Sequence, residues 1–246
     1  MSLYTDILYY LSAPKCVCCG NRLERSERAL CKKCHDGYLE TKSLAKCSHC
    51  LHDFTECTCS NDYLNTHYIR KLIKLFRYTP SSSPDEHLPA NQLIYIAKRH
   101  KRIDLFDFLS DELSRSIKAN IKYDGYLVTN VPRDKKRKVE YGFDHSEVLA
   151  REVAKKLGLK YVKVLKSKSK KAQKKVKGEE RIRNATFDYL KRIPDLSGQN
   201  IILIDDISTT GASLGNSAML IKGLGAKKIV GACIAVTFKD MYKPFQ

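Results

Sequence analysis

The chain has 246 residues and a mass of 28.1 kDa, enough for one good-sized domain and a small one. No apolar run is long enough to cross a bilayer. The N-terminal Leu3, Ile7, Leu8 and Leu11 are interrupted by Asp6 and lack a preceding basic stretch, which argues against a secretory signal, so a cytoplasmic protein is expected.

The formal net charge of +18 is unevenly spread. Arg133 to Arg183 holds 19 Lys and Arg against 7 Asp and Glu, a net of +12, whereas residues 1–60 carry 8 against 7. The basic field therefore belongs to the larger part of the chain. It suits a polyanion, and a pyrophosphate or a nucleic acid backbone serves equally well. The bland alternative is a solvated basic surface.

Nine of the ten cysteines fall within residues 16–59. Cys16 and Cys19, then Cys31 and Cys34, have the two-knuckle spacing of a structural zinc site. Cys47 and Cys50 with Cys57 and Cys59 make a second group, and Cys18 is left over. An odd count and a cytosolic setting argue against disulfides. Four thiolates close a tetrahedral zinc site and supply folding energy that so small a core lacks. The spacing leaves open whether ligands are shared between the groups, with His35, His49 and His52 as substitutes or, more simply, surface residues. We expect a zinc-binding domain over 1–60 and a second domain over 61–246.

Residues 62–120 read as helices around a strand at Phe76-Arg77-Tyr78-Thr79, with no chemistry of their own. Pro80 to Pro89, with its prolines and serines, reads as an exposed insertion. Leu93, Ile94, Ile96 and Ala97, and later Leu105, Phe106, Leu109 and Leu113, give amphipathic helices that pack on a sheet. Tyr126 to Pro132 is a buried strand running into the basic turn Arg133-Asp134-Lys135-Lys136-Arg137-Lys138. A helix follows with Val148, Leu149, Val153 and Leu157 on one face and Gly158 at its end; His145 reads as a helix-start or surface residue rather than an acid or base. Tyr161 to Leu165 reads as a short strand.

Lys163 to Lys177 then holds eight lysines and no acid, so we expect a mobile loop that closes over a polyphosphate or lies along nucleic acid. Its Lys168, Lys170, Lys171, Lys174, Lys175 and Lys177, with Arg181, are the candidate DNA contacts. Further on, Ile201-Ile-Leu-Ile204 has no alternation and suits a strand covered on both faces, as in a parallel sheet. Asp205 and Asp206 follow, then Ser208, Thr209, Thr210, Gly211, Ala212 and Ser213, then a helix carrying Leu214, Ala218, Ile221 and Leu224, with Gly225 at its end. Free amides and the dipole at a helix start attract phosphate, hydroxyls donate, and Gly211 admits close approach. Carboxylates accept hydrogen bonds only, which suits vicinal ribose hydroxyls or hydrated magnesium. The stretch lacks the Gly-Lys-Ser/Thr of a P-loop and the G-x-G-x-x-G of a dinucleotide fold. The last strand is Lys228 to Val236, with Cys233 in its core.

Residues 201–213 resemble the signature of type I phosphoribosyltransferases. That resemblance implies that Asp205 and Asp206, the candidate catalytic pair, hold the ribose 2- and 3-hydroxyls of phosphoribosyl pyrophosphate (PRPP), while Ser208 to Ser213 wrap its 5-phosphate. Ligands of open parallel sheets collect at the strands' carboxyl ends, so Pro132 and Arg133 are expected to face the same crevice and grip pyrophosphate with magnesium. With the cysteine knuckles, Gly142-Phe143 opening a helix, and Arg181, Arg183 and Asn184, the chain is similar to the ComF family of competence proteins. The family pairs a zinc finger with a phosphoribosyltransferase-like domain and is implicated in DNA uptake. The chain departs from the pattern at Tyr141-Gly142-Phe143-Asp144-His145, where the family usually has Arg-Gly-Phe-Asn-Gln, and in a longer loop at Pro80 to Pro89. The expected fold is thus α/β, a type I phosphoribosyltransferase-like parallel sheet flanked by helices, with a small cysteine-rich zinc-binding domain. The implied ligands are structural zinc, magnesium and PRPP, and the implied partners are single-stranded DNA and other DNA-uptake proteins. A phosphoribosyltransferase acting on a nucleobase or other small acceptor is the alternative.

Overall fold

The computed structural model describes residues 14–43, 45–53, 56–78, 89–99, 102–134, 138–140, 142–168, 187–237 and 242–244. Its elements run α1 (Lys32–Ser43), β1 (Ala45–Cys47), α2 (Asp62–Thr66), β2 (Ile69–Arg77), α3 (Pro89–Arg99), α4 (Ile103–Asn120), β3 (Tyr126–Asn130) and α5 (His145–Leu157). They continue with β4 (Lys160–Tyr161), β5 (Leu165–Ser167), β6 (Phe187–Tyr189), β7 (Asn200–Ser208), α6 (Ala212–Gly223), β8 (Lys228–Val236) and β9 (Tyr242–Pro244).

Five strands form a parallel sheet in the order β2-β8-β7-β3-β4. The central strands are apolar without alternation because both faces are covered. Ile202 and Ile204 of β7 face a core made with α3, α4 and α5, whereas Ile201 and Leu203 face Leu214, Ala218 and Ile221 of α6. The cysteine-rich residues divide between these faces. Cys16, Val17, Leu23, Leu30, Cys34 and Tyr38 pack with the first core, and Cys47 and Cys57 with the second. Two small pairings complete the fold, β5 with β6 and β1 with the distant β9, both antiparallel.

Two sequence expectations change. The strand expected over 76–79 is represented by Phe76 and Arg77, the carboxyl end of β2, which starts at Ile69; a bulge between Ile69 and Leu72 breaks its alternation. The strand expected over Tyr161–Leu165 is two strands. Tyr161 ends β4 in the main sheet, whereas Leu165 begins β5, which leaves that sheet to pair with β6. Thr79, the loop over 80–88, the N-terminal apolar residues and the lysine segment beyond Lys168 lie outside the described residues. Among the described residues no helix is long and apolar enough to cross a membrane.

The helix that follows the first cysteine group is anchored through a buried acid. Tyr38 of α1 is fully buried, its ring edge-on to Phe76 and Phe108, and its hydroxyl donates to Glu112 Oε2 at 3.1 Å. Glu112 of α4 also pairs with Lys42 and, at 2.9 Å, with Arg115. Removing one partner of a buried ionic cluster leaves the rest uncompensated. Glu112→Ala should therefore cost about 3 kcal/mol, read as a lower urea midpoint at unchanged slope.

Candidate functional site

Strands β3 and β7 pair in register from Tyr126 with Asn200 to Asn130 with Ile204, so their carboxyl ends finish side by side. The next amide, Val131 N–H, still donates to Ile204 O at 2.9 Å. Past this point β3 gives way to the turn at Pro132-Arg133, while β7 runs on through Asp205 and Asp206 to Ser208. Arg133 Nη1 lies 3.5 Å from Asp206 Oδ2, which joins that turn to the end of β7.

The acids differ in surroundings. Asp205 is buried, and its Oδ1 accepts the Asp206 N–H at 2.9 Å; Asp206 is half-buried, and its Oδ1 accepts the Ile207 N–H at 2.8 Å. Both bonds fold the carboxylates back on the chain within the last residues of β7, a habit of aspartate. Burial, reinforced by the neighbouring Asp206 charge, pushes the Asp205 carboxyl well above its ordinary range.

The Arg133 turn is fixed from behind by Asp144, the N-cap of α5. Its Oδ2 accepts the Arg133 N–H at 3.1 Å and pairs with Lys138 at 2.6 Å, and its Oδ1 accepts the Glu147 N–H at 3.3 Å. Ser146 Oγ donates to Val131 O at 2.6 Å. Aspartate serves here as cap and clamp at once. Next to it His145 opens α5 but is buried, its ring 4.2 Å from that of Phe143, so it is no surface residue.

After β7 the chain turns through Ser208 to Gly211 into α6. Gly211 holds φ +84° at the N-cap and offers no side-chain oxygen to the first helical amides; Thr210 Oγ1 accepts only the Ala212 N–H, at 3.3 Å. The turn is thus a ring of amides and hydroxyls at a helix start, an anion-binding geometry. Ser208 and Ala212 are buried, Thr209 is exposed, and Thr210 and Ser213 are half-buried.

What holds this turn in place comes from α2, just past the second cysteine group. Asn61 caps α2 through Leu64 N–H at 2.9 Å, and its Nδ2 donates to Thr210 O at 3.2 Å. Leu64 sits so close to Gly211 that a Cβ there would meet it at 2.8 Å, and a Cβ at Gly215 would meet Tyr63 at 2.7 Å. Tyr63 OH reaches Asn216 Oδ1 at 2.9 Å.

The cysteines form two groups, Cys16, Cys19, Cys31 and Cys34, and Cys47, Cys50, Cys57 and Cys59, each with sulfurs within 4.8 Å of one another. Tetrahedral zinc with Zn–S of about 2.3 Å places sulfurs roughly 3.8 Å apart, so each set can close around one ion without sharing ligands. The histidines named above belong to neither group. Although burial raises it, backbone N–H bonds from Cys19, Cys31 and Cys18 bring the Cys16 thiol down to about 7, and similar bonds from Cys50 and His49 lower Cys47. Cys18, outside the set, is pushed up to about 12 by burial and the surrounding sulfurs.

Residues 62–120 carry chemistry that sequence reading missed. Lys74 of β2 is fully buried, and its Nζ donates to Cys57 Sγ at 3.2 Å, Cys57 O at 3.2 Å and Cys59 O at 2.9 Å. In register, Lys74 pairs with Cys233 and Cys233 with Asp205, so one row runs across the sheet from the second cysteine group to the acids. A lone lysine in the apolar run Leu72-Ile-Lys-Leu-Phe76 was the available signal. Of the lysine segment, Lys168 is exposed just beyond β5; Lys170, Lys171, Lys174, Lys175, Lys177, Arg181, Arg183 and Asn184 lie outside the described residues.

Residues 144–244 match the family model described as the phosphoribosyl transferase domain, and this part of the chain is a phosphoribosyltransferase-type domain. A stretch of 54 residues is 33% identical to ribose-phosphate pyrophosphokinase 2 of Archaeoglobus fulgidus, covering 22% of this chain. The chain spans about a fifth of that curated relative, 20% of its length. Among solved structures, the purine phosphoribosyltransferase of Pyrococcus horikoshii is similar at 22% identity and TM-score 0.37, over 53% of this chain and 72% of that one. The adenine phosphoribosyltransferase of Thermoanaerobacter pseudethanolicus is similar at 16% identity and TM-score 0.37, over 56% and 83%.

Two outcomes are expected. Lys74→Met removes the cation beside Cys57 while keeping the volume, and should hasten zinc release from the second group to a chromogenic chelator by roughly tenfold, leaving the first group unchanged. For Asp205, a raised native value means that the folded chain holds its proton to higher pH than the unfolded chain. Stability is therefore lost as pH rises from the ordinary carboxylate range through that raised value. Asp205→Asn keeps the acceptor oxygen without the charge, so its Tm advantage over the parent should grow as pH rises above the ordinary carboxylate range.

Proposed function

We propose that the crevice at the carboxyl edge binds PRPP with magnesium. The observation that carries this is the 3.5 Å approach of Arg133 to Asp206, which sets a cation and an acid pair beside a turn of amides and hydroxyls at a helix start. Asp205 and Asp206 accept the ribose 2- and 3-hydroxyls, Ser208 to Ser213 wrap the 5-phosphate, and Pro132-Arg133 faces the pyrophosphate. The half-buried Asp206 carboxylate supplies an oxygen of the kind a hydrated magnesium ion takes, and that ion, when bound, neutralises the departing pyrophosphate. Arg133 and the aligned amides place charge where it develops, and the acids fix the sugar's orientation. The transferase-domain match and the stretch shared with an archaeal ribose-phosphate pyrophosphokinase support this reading.

The two cysteine groups each take one structural zinc, in a zinc-binding domain over 1–60 that supports a domain over 61–246. The whole acts as a ComF-type cytoplasmic competence protein, handling single-stranded DNA beside other DNA-uptake proteins. Support for that role lies in the resemblance, the paired cysteine groups and the basic field, with the lysines from Lys168 to Lys177 and Arg181 as DNA contacts. The second reading is a phosphoribosyltransferase for a nucleobase or other small acceptor, favoured by the family model itself, which describes a transferase domain.

PRPP with magnesium at about 100 times its Kd should raise Tm by roughly 5–10 °C. Asp205→Ala combined with Asp206→Ala should abolish that rise, and an undiminished rise would place PRPP elsewhere. Pyrophosphate release measured with oligonucleotides and, separately, with free nucleobases then divides the two roles. Release with nucleobases alone favours the small-acceptor enzyme.

A further inference from the structure

The parallel sheet has a cleft at its amino edge. It has a volume of about 340 Å³ and is lined by Tyr68, Arg70, Lys71, Lys222, Lys227, Lys228 and Ile229: five cations and no acid. Lys228 is level with Asn200, and Asp206 lies six residues further along β7, so at about 3.3 Å per residue the cleft is roughly 20 Å from the acid pair. It is a separate site.

Its construction is specific. The bulge at the start of β2 turns both Arg70 and Lys71 outward, where regular alternation would send one of them inward. Lys227 and Lys228 enter from the start of β8, also exposed. Lys222 at the end of α6 donates to Ala226 O at 2.8 Å and Lys227 O at 3.2 Å, and its Nζ stands 6.0 Å from the Tyr68 ring centroid. Tyr68 itself is 52% exposed and holds φ +67°, a left-handed conformation rare for a bulky aromatic residue. Such strain persists only where neighbours impose it. Here His67 is stacked on Tyr63 at 3.9 Å on one side, and Ile69 is fully buried on the other. The molecule thus holds a flat ring out to solvent among five cations.

We infer that this amino-edge cleft binds single-stranded nucleic acid, with Arg70, Lys71, Lys222, Lys227 and Lys228 on the phosphates and an unpaired base stacked on Tyr68. The ring distinguishes this from a mere anion site. Phosphates alone need no aromatic, duplex bases present no open face, and a base on an aromatic plane is how single strands are held without sequence readout. In its choice of partner the inference rests on the single-strand reading proposed above; in its location it departs from the lysine segment, which lies past β5.

The test uses the full-length zinc-loaded protein and a labelled oligothymidylate of about 20 nucleotides, read by fluorescence anisotropy over a salt series. Lys71→Glu combined with Lys228→Glu should weaken binding more than tenfold and lower the salt slope by about two. Tyr68→Asn, whose replacement tolerates the left-handed backbone, should weaken it roughly tenfold with the salt slope unchanged. Both variants should keep the PRPP-induced rise in Tm, which certifies the fold. If the parent binds and both variants bind as tightly, the cleft is overturned while the single-strand reading survives. If the parent binds no oligothymidylate, both fall. If only the charge reversal matters, and duplex DNA and heparin lose as much as the single strand, the stacking assignment is overturned and the cleft is a general anion surface.

Discussion

A buried ammonium between the second cysteine group and the sheet is the constraint on which much of the rest depends. Lys74 reaches no water, so its charge must be met by what surrounds it, and what surrounds it is Cys57 Sγ and the carbonyls of Cys57 and Cys59. Four thiolates around zinc carry a net negative charge, which matches a buried cation far better than neutral thiols do. The knuckle and β2 therefore stabilise each other, and the residues that follow the knuckle are delivered to a fixed place. Those residues are Asn61, Tyr63 and Leu64, and they press on Thr210, Gly211 and Gly215. The residues just past the cysteine-rich segment thus shape the proposed phosphate turn from behind.

The two cysteine groups are not redundant in this arrangement. One belongs to the face built by α3, α4 and α5, and it is docked there by Tyr38 and Glu112; the other belongs to the face built by α6. A sheet whose central strands are apolar on both sides needs cover on both sides. Helix α4 covers β2 on one face through Leu105, Leu109 and Leu113, and the residues of the first cysteine group pack into that same core.

The sequence was most legible where one physical rule acted alone. Ile201 to Ile204 had no period, so it had to be covered on both faces, and it is. The cysteine spacing gave two groups but left sharing between them open, and the sulfurs gather as two separate sets of four. Where two rules competed, reading failed. Charges at Arg70, Lys71 and Lys74 hid the start of β2, because a bulge displaces two of them outward while a buried acceptor shell takes the third inward. Asp144 read as a departure from a family pattern; its worth as cap and clamp depends on Arg133, eleven residues away, and emerges only when the two turns meet. Tyr161 to Leu165 had a strand's composition, but composition does not say that Tyr161 and Leu165 pair with different partners.

Parallel strands make the two edges of the sheet chemically unlike, and the placement of charge follows. Helices α5 and α6 present their amino ends at the carboxyl edge, where aligned amides lower the cost of carboxylates such as Asp144 and Asp206. At the other edge α6 ends, and the carbonyls of Ala226 and Lys227 just beyond it accept from the Lys222 ammonium, at the negative end of the helix dipole. That partial compensation lets five cations share one cleft without an acid among them. It also gives the edges different responses to salt. An anion held by amides and hydroxyls in a half-buried turn is weakly screened, whereas one held by exposed ammonium groups is screened over about a Debye length. On the two proposals above, the same fold keeps a small phosphate at one end while a polyanion comes and goes at the other.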